Sequence, residues 1–478
     1  MAYERLSAQD SMFLHIEKPQ QPQHVGSLGI LEGEPFRDEE GRFRLDAIRE
    51  VIAERLHLVP RFRKRVMDVP LAQGRPVWVD DEDFDLAYHV RLTALPAPGN
   101  EEQLLALFAR IQSHLLDRRR PLWELWFVEG LTEGRIAVMQ KTHHCLVDGI
   151  SGVDVATVLF DLAPDVARFE PPRWRPTPPP SGAQLMLESL VERAVEPAEI
   201  VRSVRSALRG PRLVLDRAKD VAQAVTTNVT VAPRTPWNVP ISQHRRWQPV
   251  RVPIADAKAI KDKASVDDRL GGRVSLNDVV LAAVGSGLRA FLLEREEPVD
   301  DVELRAMVPV TMRAKEERDA ASAEGSAALG NRVSMMNAVL PVGSPDPVVR
   351  LRGVVDGMRE LKDSGAAVGA DLLLQMGSYV PPTVFAMASR LLVRSRSINL
   401  TITNVPGPQF PLYCLGARVL EAFPYVGIVD GQALTVAVLS YDGQLGFGIT
   451  GDRDVLPDLH VLGDGIRAGF AELSDALA

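Results

Sequence analysis

Six prolines fall within ten residues, at Pro171, Pro172, Pro176, Pro178, Pro179 and Pro180. Proline locks φ and carries no amide hydrogen, so this stretch can neither propagate a helix nor pair as a central strand. It divides a chain of 478 residues, long enough for two cores. Beyond it, Gln184 to Asn228 is helical in pattern, with breaks at Pro197 and Pro211 and arginines interleaved with acidic residues. The expected organisation is therefore a first domain over 1–165, a proline-rich and helical linker over 166–246, and a second domain over 247–478.

Composition narrows the class. With 46% hydrophobic and 25% charged residues the chain is neither disordered nor polytopic. It has no uncharged apolar run of eighteen residues or more, so no transmembrane helix is expected. The N-terminus leads into polar and acidic residues without a secretory apolar segment, which predicts a cytoplasmic protein. Two cysteines, Cys145 and Cys414, lie too far apart in sequence to suggest a disulfide framework or a cysteine zinc site. A net charge of -8 argues against nucleic acid as a partner.

Both halves read as mixed α/β. In the first, Val25 to Leu31 is strand-like, Leu45 to Leu56 and Leu104 to Leu116 have helical spacing, and Trp123 to Leu131 and Ile136 to Thr142 form a hairpin around Thr132-Glu133-Gly134. In the second, Ser275 precedes a helix running to Leu293, Arg350 to Asp363 is helical, and Pro457 to Leu477 is a closing helix. Leu304 to Val310, Leu400 to Asn404, Leu434 to Tyr441 and Leu445 to Thr450 read as strands. Leu372 to Arg396 is an apolar stretch with arginines at its end and almost no charge at its centre, a candidate for contact with a membrane surface.

The chemistry concentrates at the end of the hairpin, where His143-His144 is followed by Asp148-Gly149 and a helical pattern from Ile150 to Leu162. An imidazole titrates near neutral pH and can take a proton from an alcohol or an amine, which makes His144 the candidate base. Asp148 can hold the imidazole or the loop, and Gly149 permits a tight turn. The competing reading is a structural pair, one ring inside the strand and one outside. A zinc site lacks a third local ligand, no G-x-S-x-G elbow is present, and Gly446-Phe447-Gly448-Ile449-Thr450-Gly451 satisfies G-x-G-x-x-G only within an alternating strand.

His143-His144 with Asp148-Gly149 resembles the HHxxxDG motif of coenzyme A-dependent acyltransferases and of peptide-synthetase condensation domains. Pro121-Leu122-Trp123, Asn277-Asp278, Asn404-Val405-Pro406-Gly407-Pro408 and the opening Leu6 to Leu14 resemble, in order, landmarks of the bacterial wax ester synthase/diacylglycerol acyltransferase family. The resemblance implies an α/β fold of two chloramphenicol-acetyltransferase-like, condensation-domain-like domains with mixed sheets, joined by a long helical linker, with an active-site tunnel between them. It implies transfer of a long-chain acyl group from acyl-CoA, a co-substrate with no further cofactor and no metal, to diacylglycerol or a long-chain fatty alcohol.

The roles follow by the same resemblance: His144 as general base attacking through the acceptor hydroxyl, His143 as its support, and Asp148 as holder of the loop. Asn277 is the polar group opposite the base, with helix capping as its alternative. Gly149, Pro121, Leu122, Trp123 and Asp278 would line or shape the substrate site. The expected location is peripheral, at the inner membrane or a lipid droplet. A condensation-type enzyme using carrier-bound donors and a noncatalytic lipid-binding homologue are the alternative readings.

Overall fold

A computed structural model describes residues 3–147, 159–189, 191, 231–311, 333–363 and 397–478. In the first third of the chain the strands are β1 (Glu4–Arg5), β2 (His24–Leu31), β3 (Lys64–Met67), β4 (Val77–Asp80), β5 (Val90–Ala94), β6 (Trp123–Glu129) and β7 (Ile136–His143). The helices there are α1 (Ala8–Ile16), α2 (Leu45–Arg55), α3 (Leu86–His89), α4 (Glu101–Ser113) and α5 (His144–Val147). After the linker come β8 (Arg245–Pro253), α6 (Ile254–Val266), α7 (Leu276–Glu294), β9 (Glu303–Thr311), β10 (Val333–Pro341) and α8 (Pro347–Asp363). The chain closes with β11 (Leu400–Pro406), β12 (Tyr413–Cys414), β13 (Ala417–Val426), β14 (Leu434–Tyr441), β15 (Gln444–Asp452) and α9 (Leu459–Ala476).

Among the described residues these strands form two six-stranded sheets, in the orders β12-β13-β2-β7-β6-β5 and β10-β9-β11-β14-β15-β8, and a small third sheet, β1-β4-β3. Both large sheets are mixed: β5 runs parallel to β6, and β11 parallel to both β14 and β9, while the other pairings are antiparallel. This is the mixed α/β architecture expected from alternating apolar strands and periodic helices.

Sheet membership does not follow chain order. Strand β13 pairs with β2 from Val426↔Val25 to Val419↔Leu31, so a segment from the last seventy residues completes the sheet of the first lobe. Its backbone also crosses β15 closely. A Cβ on Gly446 would lie 2.4 Å from Ala422 O, and one on Gly448 would lie 1.9 Å from Pro424 O. That close approach accounts for two glycines of the G-x-G-x-x-G sequence, which stands inside a strand as expected.

The second lobe is organised on α7. Ser275 caps it through Asp278 N–H, and Asp278 returns a carboxylate oxygen to the Ser275 N–H at 2.8 Å, a reciprocal box at the helix start. From Asp278 to Leu288 the helix is buried on every side, lying in the core with α8, α9 and the second sheet. It is long and apolar enough to cross a membrane, and 72% of the relevant window is buried within the protein.

The proline-rich segment lies along the first lobe. Arg55 and Arg168 donate to Asp161 and Glu54, Thr177 N–H donates to Asp80 at 2.9 Å, and Trp174 packs edge-on against Phe84. With its own amides few, it holds its course through side chains and caps rather than a ladder. The helical pattern assigned to 184–228 falls mostly outside the described residues, as do Leu372 to Arg396 and most of the helix expected from Ile150 to Leu162. The end of that last helix is corrected: residues 160–162 are not helical, and Asp161 bridges to Tyr413 instead.

Candidate functional site

The hairpin β6–β7 delivers the histidine pair as its alternation predicted. Strand β7 ends at His143, which stands directly opposite His24 of β2, and α5 begins at His144. The change from strand to helix between the two residues separates their environments. His143 is fully buried in the sheet, while His144 is half-buried at the turn. Asp148 and Gly149, assigned as loop holder and turn residue, lie outside the described residues.

Helix α1 presents one face to both imidazoles. Ser7 caps it by accepting from Asp10 N–H, Phe13 stands in its last turn, and Glu17 is the residue that ends it, its N–H donating to Phe13 O at 3.2 Å. Phe13 stacks on the His144 ring at 3.9 Å between centroids and 18° between planes. The Glu17 carboxylate reaches His143, with Oε1 3.2 Å from Nε2 in a contact too bent to be an ideal hydrogen bond. On its other nitrogen, His143 Nδ1 accepts the Cys145 amide at 3.2 Å. A ring nitrogen that accepts cannot also carry the proton, so the His143 proton sits on Nε2, toward the carboxylate.

The electrostatics follow from burial. Desolvation, with a smaller repulsion from His143, pushes the His144 imidazole down to about 4, so it is uncharged at neutral pH and free to accept a proton. His144 Nδ1 is buried without a hydrogen-bond partner, and its backbone N–H donates to Gln23 O at 2.8 Å. Glu17 goes the other way. Burial alone would raise its carboxyl, but the neighbouring His143 and the Arg118 guanidinium outweigh this and hold it at about 2. Behind the pair, burial lowers Lys141 to about 8, and its ammonium donates to Ile111 O and His114 O at the end of α4. Burial also raises the Cys145 thiol well above its ordinary range, and both cysteines are free, buried thiols.

Pro121-Leu122-Trp123 is buried and braces the end of β7: Leu122 O accepts the His143 amide at 2.9 Å. Trp123 donates its indole N–H to Phe62 O at 2.9 Å and stacks on His89. The same indole lines a cavity with Ile52, Phe62, Leu125 and Leu159, together with Gln140 and Thr142.

On the second lobe, Asn277 is half-buried in the first turn of α7, but it does not cap the helix, a task done by Ser275 and Asp278. Its Oδ1 accepts instead from Asn404 Nδ2 at 3.2 Å. Asp278 is 5% exposed: one carboxylate oxygen accepts the Ser275 amide at the helix start, and the other, Oδ1, is buried without a hydrogen-bond partner. The Asn404-to-Pro408 turn passes so close to β14 that a Cβ on Gly407 would meet Ser440 O at 2.3 Å.

Phe13, Glu17 and Arg118 were not singled out in the sequence. The signal was present in the first two, since Phe13 and Glu17 share helical spacing behind a serine cap. Arg118 sits among Arg118-Arg119-Arg120 and carries no pattern of its own.

Residues 6–280 match the family model of the wax ester synthase/diacylglycerol acyltransferase catalytic domain, and residues 329–474 match the WS/DGAT C-terminal domain. The chain is 34% identical over 476 residues to a probable diacylglycerol O-acyltransferase of Mycobacterium tuberculosis, covering 98% of each. It is likewise 34% identical over 451 residues to a second such protein of that organism, covering 94% of this chain and 90% of the relative. Among solved structures, the wax ester synthase/diacylglycerol acyltransferase from Marinobacter aquaeolei VT8 superposes with a TM-score of 0.67 at 29% identity, covering 99% of this chain and 100% of that one. The starter condensation domain of rhizomide synthetase, at 14% identity, a TM-score of 0.57 and coverage of 100% of this chain and 94% of that one, shares the fold. The expected ancestry is thereby met over nearly the whole length: the chain belongs to the wax ester synthase/diacylglycerol acyltransferase family and is an acyltransferase of that type.

Proposed function

We propose that the protein transfers a long-chain acyl group from acyl-CoA directly to the hydroxyl of diacylglycerol or of a long-chain alcohol, with His144 as general base. The observation that carries the reading is the placement of the His144 imidazole at the strand-to-helix turn, stacked on Phe13 with Nδ1 unpartnered; burial, which lowers it to about 4, favours its neutral form. His144 takes the hydroxyl proton as the alkoxide attacks the thioester carbon. The tetrahedral intermediate then expels the coenzyme A thiolate, which recovers the proton, so that one ester forms for each thioester broken.

In this reading Asp148 and Gly149 shape the loop after the base, and Asn277 of the second lobe orients the acceptor or the oxyanion. The acyl chain follows a tunnel between the lobes that keeps water from the thioester. Residues 1–165 then supply the base, 247–478 supply Asn277, and 166–246 connect them. Attachment to a membrane surface or lipid droplet is the companion proposal, motivated by Leu372 to Arg396 and by acceptors that are themselves insoluble in water.

The test is thiol release from palmitoyl-CoA with diacylglycerol or hexadecanol offered in vesicles, alongside a holo-carrier acyl thioester as competing donor. Acceptor-dependent release, lost by 10³-fold or more (on the order of a removed general base with its nucleophile unactivated) in folded His144→Ala, is expected. Retained turnover in that variant removes the base assignment. Failure to float with the vesicles removes the surface attachment.

A further inference from the structure

We propose that Glu17 is a positioning residue for catalysis, fixing the tautomer and orientation of His143 and through it the turn that carries His144. The inference rests on the reading of His144 as base. Its ground is the way the carboxylate divides its two oxygens. Oε2 takes Arg118, whose Nη2 and Nε donate at 2.7 and 3.1 Å. Oε1 faces inward, 3.2 Å from His143 Nε2, 3.8 Å from His24 Nε2 and 3.3 Å from the amide of Gln23. Gln23 O in turn accepts the His144 amide. One oxygen therefore touches the imidazole next to the base and the residue that holds the base's backbone.

Pairing with Arg118 does not require this burial. The arginine side chain is 43% exposed, while the Glu17 side chain is 4% exposed, and a carboxylate moved out of water is destabilising unless it gains partners there. The partners gained are the histidine and the Gln23 amide. With Glu17 ionised, the His143 proton is drawn to Nε2, which leaves Nδ1 to accept the Cys145 amide in the first turn of α5. If the proton moved to Nδ1, that position would confront the Cys145 N–H donor to donor, and the turn beneath His144 would loosen.

Glu17→Gln keeps the shape and removes the charge. We expect kcat to fall about 10- to 100-fold with KM for acyl-CoA and acceptor changed less than about threefold, because the defect lies in the base and not in the binding surfaces. In a His143→Ala background the same substitution should cost nothing further, since Glu17 acts through His143. Long-range proton–nitrogen spectra of 15N-histidine-labelled wild type should show His143 protonated on Nε2. The signal is assigned by its loss in His143→Ala or, if that variant does not fold, by contact with the Cys145 amide. Losses that multiply in the double variant, an effect confined to KM, or a wild-type His143 protonated on Nδ1 would each overturn the proposal. The tautomer is read without substrate, so it stands apart from the His144→Ala outcome.

Discussion

His143 and His144 are neighbours in the chain and opposites in surroundings, because the backbone changes from strand to helix between them. The first is locked in a sheet against His24 and Glu17, and the second is stacked on Phe13 with one nitrogen unpartnered. The alternation of strand side chains predicted one ring in and one out, and the result is one ring buried and one half-buried. A pH dependence follows. With the His144 imidazole lowered to about 4, the free enzyme keeps its base unprotonated well below the ordinary imidazole range. The acid limb of kcat/KM should therefore lie near pH 4 and not near 6.5. A limb between pH 6 and 7, in protein shown folded by circular dichroism, would mean that the site is wetter than the packing implies. Stability moves in the same sense. Glu17 is held below its unfolded value, so its contribution is complete above about pH 4.5 and is lost as pH falls toward about 2.

At the scale of elements, α7 shows how a motif can be read correctly in place and differently in purpose. The Asn277-Asp278 pair opens the helix as expected: Asp278 answers the Ser275 cap through one carboxylate oxygen, and Asn277 accepts from Asn404. Further along, α7 packs on α9 through missing side chains. A Cβ on Gly287 would lie 2.8 Å from the backbone nitrogen of Ile466, whereas one on Gly285 would meet nothing within 4 Å. Gly287→Val should accordingly lower stability by about 1–3 kcal/mol through overpacking, read as the shift of the urea midpoint. Gly285→Ala, in open space on the same helix, should leave the midpoint unchanged or raise it slightly. Equal destabilisation by the two substitutions would show that the space beside Gly285 is as tight as that beside Gly287, and would remove the special role of the α7–α9 contact.

Across the whole molecule, the two lobes cannot be separated by cutting the linker. Strand β13 fills the edge of the first sheet, and Trp247, Phe423 and Tyr425 from the later chain complete a core cluster with Phe108, Leu28 and Met139. Arg251 of β8 adds ion pairs to Glu101 of the first lobe and to Glu421 of β13. Residues 1–246 expressed alone should expose the β2 edge and the apolar side chains that Trp247, Phe423 and Tyr425 cover, and so aggregate, while co-expression with 247–478 should recover a soluble pair. A soluble, cooperatively unfolding 1–246 fragment would show that β13 is dispensable to the first lobe.

Much of this was legible in the sequence because it is local. The hairpin that ends in the histidine pair, the serine cap of α7 and the strand that absorbs the G-x-G-x-x-G glycines follow from periodicity, capping chemistry and turn residues, which act over a few positions. The order of the family landmarks carried the kinship. Glu17, Phe13 and Arg118, the hold of Asn404 on Asn277, and the passage of β13 into the first sheet belong to contacts between residues up to about four hundred positions apart. Burial patterns say which face of an element turns inward, but not which element it meets there. Only the folded chain decided that the carboxylate ending the first helix would meet the histidine ending the seventh strand.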